Sequence, residues 1–178
     1  MTLRAYERHY EQNVMLPVGA KAIFSYADDF SKLSSHMNKS SSMMMGGSME
    51  TSLDQGRGQA IGSHVRMKGR MMGVQLFLEE VVTERQPPHH KAWETTGRQR
   101  LLVIDSYRLG FDITEGNKSS ELRVFIDYNL PTAPLLLWLG LTFGKFYAKW
   151  CVQQMVTDAR KHFMPVPYSR RKDGAGGE

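Results

Sequence analysis

Through the middle of the chain, apolar and polar positions alternate with a period of two, and near its end the period changes to that of a helix. From Gly58 to Arg70, Ile61, Ser63, Val65 and Met67 fall on one side and His64, Arg66 and Lys68 on the other, the alternation of a half-buried strand. The same reading predicts strands over Leu3 to Leu16, Met43 to Leu53, Val74 to Glu84, Lys91 to Thr96, Leu101 to Ile113 and Glu121 to Leu130. Gly46-Gly47 breaks the second of these and suggests a bulge. Asp54-Gln55-Gly56, Pro87-Pro88 and Glu115-Gly116-Asn117 supply turns. Ala20 to Ala27 reads as a short helix after Pro17, Asp28 to Met37 as a second one capped by Asp29 or Ser31, and Asn38 to Ser42 as a polar loop.

The last element is the longest. Leu135 to Phe163 carries an unbroken helical pattern, with Pro131 and Pro134 before it and Pro165 after it. It has two apolar stripes. Ala148, Val152, Met155, Val156, Ala159 and Phe163 form one; Leu136, Leu139, Phe143, Phe146, Tyr147 and Trp150 form the other, with Thr142, Lys149, Gln153 and Arg160 between them. A helix that merely covers a sheet needs one stripe, so the second calls for a further surface. Strand, two short helices, about six antiparallel strands and a long helix make an α+β domain rather than an alternating α/β one. The domain is expected over residues 1–164, with 165–178 a disordered basic tail. A twisted sheet of six to seven strands needs its concave face covered, and the long helix is the obvious cover.

The composition excludes several classes. The 178 residues suit one domain with a real core. Twenty-three basic residues against eighteen acidic ones give a small excess that owes much to Arg170, Arg171 and Lys172, so no nucleic-acid partner is expected. Cys151 is the single cysteine, and the N-terminus lacks the apolar core of a signal peptide; both point to a reducing, cytoplasmic setting. No apolar run is long enough to span a bilayer. His9, His36, His64, His89, His90 and His162 are scattered without metal-ligand spacing, so neither metal nor cofactor is expected. Gly56 to Gly62 has glycines but leads into a strand, which rules out a dinucleotide fingerprint. The twelve methionines, clustered in the first half, fit ordinary core filling or the wall of an adaptable apolar cavity.

Two local stretches and the order of elements carry a resemblance. Leu16-Pro17 before AKAIFSYADD, and VVTERQPPHHKAWETTG with its central Trp93, together resemble the START-like (SRPBCC) superfamily of birch pollen allergens, START lipid-transfer domains and polyketide cyclases, across residues 3–163. The resemblance implies a helix-grip fold: a curved antiparallel sheet wrapped around the C-terminal helix, with a cavity between them for a hydrophobic or amphipathic molecule such as a lipid, an isoprenoid or an aromatic. In such a fold Phe143, Phe146, Tyr147 and Trp150 would line the pocket or touch a membrane; equally, they could pack as core against the short helices.

The candidate chemistry is sparse. Asp105 interrupts an apolar strand face between Val103 and Tyr107. Facing inward, it would have to be paired, hydrogen-bonded or protonated, and could orient a ligand or act as a base. A bulge would turn it to solvent, or Arg66 or Arg123 would pair with it. Of Glu79 and Glu80, one points inward, with a salt bridge at the rim as the first expectation. Trp93, Tyr107 and Tyr128 are inward aromatics that suit either a core or a ligand wall. Cys151, among apolar neighbours, reads as inert. The functions left standing are a binding or carrier module and, as the alternative, a polyketide cyclase or dehydratase using the same cavity. Trp138 and its neighbouring leucines beside Lys145 and Lys149 add a possible contact with a membrane surface or, in a homodimer rather than a monomer, with a second copy.

Overall fold

In the computed structural model, residues 5–30, 48–71, 74–97 and 99–164 are described. Most of the expected second short helix (from residue 31), the loop expected over 38–42, the start of the expected second strand with Gly46-Gly47, and the expected tail over 165–178 lie outside them. The alternating segments become seven antiparallel strands: β1 (Arg8–Leu16), β2 (Ser48–Leu53), β3 (His64–Met71), β4 (Val74–Gln86), β5 (His90–Thr95), β6 (Ser106–Glu115) and β7 (Ser120–Asn129). Among the described residues two helices are complete, α1 (Ala20–Ala27) and α2 (Pro134–Phe163). The sheet order is β1-β7-β6-β5-β4-β3-β2, so strands β2 to β7 form a meander and β1 closes on its last strand.

The sequence pattern fixes the inner face. Val65 and Met67 of β3, Leu76, Leu78 and Val82 of β4, Trp93 of β5, Phe111 and Ile113 of β6 and Leu122, Val124, Ile126 and Tyr128 of β7 are all buried. α1 adds Ala20, Ile23, Phe24 and Ala27 to this core, and α2 adds Ala148, Val152, Met155, Val156 and Ala159. Burial of each large aliphatic or aromatic chain here is worth about 1.5–3 kcal/mol. α2 packs chiefly on β1 and β7, and its end is matched by Arg160, Lys161 and His162 in the last turn, next to the negative pole of the helix.

A bulge in β4 sorts charge between the two faces. The register to β5 shifts between Val82 and Glu84. Parity therefore changes: Val82 faces Trp93 inside, Glu84 stands opposite outward Ala92, and Arg85 stands opposite inward Lys91. Arg85 thereby reaches the buried Asp28 at the end of α1, and Glu84 joins a closed circuit of side-chain hydrogen bonds and ion pairs on the outer face. That circuit runs from Glu11 to His9 (3.1 Å), Asp127 (2.6 Å), Arg108 (3.5 Å), Glu84 (2.7 Å), His90 (3.0 Å), Asp112 (2.7 Å), Arg123 (2.8 Å) and back to Glu11 (2.9 Å). It surrounds Phe125, over which both Arg108 and Arg123 lie at 5.1 and 5.4 Å. The Asp127 carboxylate, against the burial of the ring, draws the His9 imidazole above its ordinary value.

The second stripe of α2 is not buried as the sequence suggested. The ridge that packs inward in the first half of the helix is Gly140 and Gly144, seated on the segments just after β7 and just before β6. A Cβ on Gly140 would stand 2.9 Å from Pro131 Cδ and 3.1 Å from the Val103 carbonyl; on Gly144 it would stand 2.8 Å from Leu130 Cδ2 and 3.0 Å from the same carbonyl. The glycines let the helix axis come close, and the bulky side chains beside them are left at the flanks or outside.

Candidate functional site

The inner face of the sheet carries one acid under the first half of α2. Glu80 shares the parity of Leu76, Leu78 and Val82 and is 2 % exposed. Its strand neighbour across the β4–β5 ladder is Thr95, whose hydroxyl in turn receives the Tyr107 backbone N–H at 3.2 Å. Glu80, Thr95 and Tyr107 thus stand side by side on three adjacent strands. The Tyr107 hydroxyl donates a short hydrogen bond to Glu80 Oε1. The other carboxyl oxygen, Oε2, is buried and has no hydrogen-bond partner.

That geometry sets the protonation. Burial pushes the Glu80 carboxyl up to about 7; the Tyr107 hydroxyl, the Trp93 indole and the Lys91 ammonium oppose it without cancelling it. Burial and the neighbouring carboxylate also lift the Tyr107 phenol well above the tyrosine range. α2 closes the site with Tyr147 and Cys151, one turn apart on the same side of the helix. The adjacent Cys151 thiol and burial hold the Tyr147 phenol well above the tyrosine range, so it stays protonated. Burial pushes the Cys151 thiol up to about 12, so it stays neutral and is a poor nucleophile. The result is a buried carboxyl near its midpoint at neutral pH, hydrogen-bonded to the Tyr107 phenol, with the Trp93 indole and the Tyr147 phenol near it and with Oε2 accepting no hydrogen bond.

Several residues singled out from the sequence fall elsewhere. Asp105 is exposed and lies just before β6. Its N–H bonds the Asn129 carbonyl at 2.9 Å and its own carbonyl accepts from Gln99 at 2.7 Å. The expected strand from Leu101 begins late, at Ser106, and the parity that would have turned Asp105 inward does not apply. Arg66 and Arg123, its other proposed partners, bond Glu79 at 2.8 Å and Asp112 at 2.8 Å instead. Phe143 and Phe146 are 48 % and 57 % exposed on the outer side of α2, away from any wall of the interior. Trp93 is buried edge-on to Phe30 at 5.1 Å and Phe111 at 6.4 Å. Tyr128 is buried opposite Tyr107 on the β6–β7 ladder. Trp150 is half-buried beside Tyr147 at 6.0 Å. Of the sequence candidates, the structure brings together Trp93, Tyr107 and Tyr147; it adds Glu80, for which a rim salt bridge was the first expectation. That rim role belongs to its neighbour Glu79, paired with Arg66. The parity of Glu80 with three apolar residues was the available signal.

A second buried charge cluster lies under α1 and differs in kind. Lys91 Nζ donates to Asp28 Oδ1 at 2.8 Å and to the Asp28 carbonyl at 3.0 Å, while Arg85 forks onto both Asp28 oxygens at 3.1 and 2.8 Å. Burial would raise the Asp28 carboxyl, but the hydrogen bonds from Arg85 and Lys91 outweigh it and hold it below its ordinary value. The Lys91 ammonium also lies over the Phe30 ring at 4.7 Å. Both carboxyl oxygens of Asp28 are taken. A small void of about 10 Å³ lies between α1 and the C-terminal half of α2, lined by Tyr26, Phe111, Met155 and others, room for about one water. An open cleft of about 410 Å³ at the far end of β3 and β4, with Lys68, Arg70, Phe77 and Arg100 on its walls, includes none of the residues above. Among the described residues no group of three or more His, Cys, Asp or Glu side chains is arranged to hold a metal, and no helix is long and apolar enough to cross a membrane.

No protein-family model and no curated protein matches the sequence. Solved structures do match the fold. The truncated norcoclaurine synthase of Thalictrum flavum superposes with a TM-score of 0.62 at 12% identity, over 93% of this chain and 99% of that one. The chain has the helix-grip fold. Ara h 8.0201 shares it with a TM-score of 0.51 at 12% identity, over 84% of this chain and 98% of its own. So does the di-domain ARO/CYC BexL from the BE-7585A biosynthetic pathway, at 0.57 and 15% identity, over 90% of this chain and 51% of that longer one. These structures belong to the START-like (SRPBCC) superfamily. At such identities the likeness concerns the helix-grip architecture, not the residues of the site.

Proposed function

We propose that this helix-grip protein binds a hydrophobic or amphipathic small molecule between the sheet and α2, with the molecule's polar end held at Glu80, Tyr107 and Tyr147. One observation carries the reading: Glu80 Oε2 is buried without a partner. An unsatisfied buried oxygen costs about 1–3 kcal/mol, more where charged, and a ligand hydroxyl or amine donating to Oε2 would remove that cost. Trp93 and Tyr128 supply apolar surface on the same inner face. Ara h 8.0201 and norcoclaurine synthase use the same architecture.

A second reading has its own observation. A carboxyl raised to about 7 beside a phenol can give or take a proton at neutral pH, as an enzyme of the cyclase or dehydratase type would require. The two readings share the site and differ in whether Glu80 moves a proton.

Native mass spectrometry of the freshly purified protein, followed by organic extraction, tests the binding. One small molecule bearing a hydroxyl or amine should accompany each chain and be lost from Glu80→Leu. Unchanged occupancy in Glu80→Leu would contradict the site. Glu80→Gln keeps the shape and the Tyr107 hydrogen bond but cannot exchange a proton. If it retains the ligand while conversion of that ligand stops, the enzyme reading stands over the carrier.

A further inference from the structure

The first three turns of α2 display a surface that the ligand site does not use. Leu135 is 75 % exposed, Trp138 62 %, Leu141 59 % and Phe146 57 %, and helical spacing places them on one broad face, with Lys145 and Lys149 on the same side. Contiguous exposed apolar surface of this kind marks an interaction site. Its exposure is built in rather than accidental. Rotating the helix to bury Trp138 would swing Gly140 and Gly144 off their seat against Leu130, Pro131 and the Val103 carbonyl, and no residue with a Cβ fits that seat without displacement.

The charge pattern distinguishes between occupants. From Tyr128 to Thr157 the chain contains no acidic residue, and Lys145 and Lys149 are its only charges. A second copy of this chain docked about a two-fold axis would set the same lysines near one another, with no acid in the docked half of either helix to receive them. A bilayer with anionic headgroups offers the complement: Leu and Trp enter the boundary between headgroups and acyl chains, and lysines lie at the level of the phosphates.

We propose that the N-terminal half of α2 docks this protein onto anionic lipid membranes through Trp138, Leu135, Leu141 and Phe146, with Lys145 and Lys149 on the headgroups. The helix neither spans the bilayer nor needs to unfold. Trp138 and Tyr147 are nine residues apart, about 14 Å along the helix, so docking brings the bilayer close to the polar cluster at Glu80.

Co-sedimentation with vesicles of phosphatidylcholine and phosphatidylglycerol, against phosphatidylcholine alone, tests this. The wild type should bind the anionic vesicles more tightly and lose binding as salt rises. Trp138→Glu should weaken binding by about tenfold or more, since burial of one such side chain is worth at least that factor, with an unchanged melting temperature. Lys145→Glu with Lys149→Glu should abolish the preference for anionic vesicles. Lys118→Glu, in the β6–β7 turn, should bind as the wild type does. Wild-type protein that stays in the supernatant, or Trp138→Glu that binds undiminished, overturns the proposal. So does a wild-type dimer, dissociated by Trp138→Glu, that binds neither kind of vesicle.

Discussion

Asp28 and Glu80 are both buried on the inner side of this sheet, and their surroundings are opposite. Asp28 sits under α1 with both carboxyl oxygens occupied by Lys91 and Arg85. Glu80 sits under α2 with Oε1 on the Tyr107 hydroxyl, the Trp93 indole beside the carboxyl, and Oε2 accepting no hydrogen bond. In the first, cations hold the carboxyl below its ordinary value; in the second, burial lifts it to about 7. A fully satisfied buried ion cluster has no valence left for a ligand, and it ties the end of α1 to β4 and β5. An unsatisfied carboxyl contributes nothing comparable to the fold, and its free acceptor is what a bound molecule could use.

The sharpest break of that contrast is Asp28→Ala. It leaves the Lys91 ammonium, fully buried, without its carboxylate, and unfolding by denaturant should show a loss of about 3–5 kcal/mol. The pH signs also differ. Asp28 is depressed from 3.8, so its contribution is present above that value and lost as pH falls through the lower folded one. Glu80 is raised from 4.5 to about 7. Its protonated form favours the folded state below about 4.5, and that advantage disappears as pH rises to about 7, roughly 3 kcal/mol in all. Glu80→Gln should flatten the stability profile across that window and leave the acid limb due to Asp28 in place. If the wild type shows no fall across it, the buried carboxyl is not what the geometry says.

A smaller effect separates the two halves of α2. Gly140→Ala gains about 1 kcal/mol of helix propensity but forces a methyl onto Pro131 and the Val103 carbonyl, at a cost of about 1–3 kcal/mol. A net loss of about 1 kcal/mol is expected, measured as a lower midpoint in urea. A gain would mean that the helix does not sit as close to these segments as the glycine ridge requires.

The strands were legible because their alternation is long and regular; β5 and β7 begin and end within a residue or so of expectation. Residues 101–105 were not, since an apolar run reads the same whether it is a strand or the loop on which α2 rests. The bulge after Val82 gives no sequence signal, so neither the inward turn of Arg85 nor the outer circuit through Glu84 could be read. Glu80 showed its parity, but its partner Tyr107 is two strands away, and which hydroxyl meets which carboxyl depends on the register of three strands. The second stripe of α2 was plain in the sequence; that small residues at positions 140 and 144 would take the inward contact and leave Phe143 and Phe146 outside was decided by close packing.

The Glu80 carboxyl can be observed directly. Carbon-13 labelling of glutamate side chains, with the Glu80 resonance assigned through Glu80→Gln, gives its titration by NMR. A midpoint of about 7 is expected, moving when the molecule extracted from the protein is added back. A midpoint near 4.5, indifferent to that molecule, would place Glu80 in water and contradict the site.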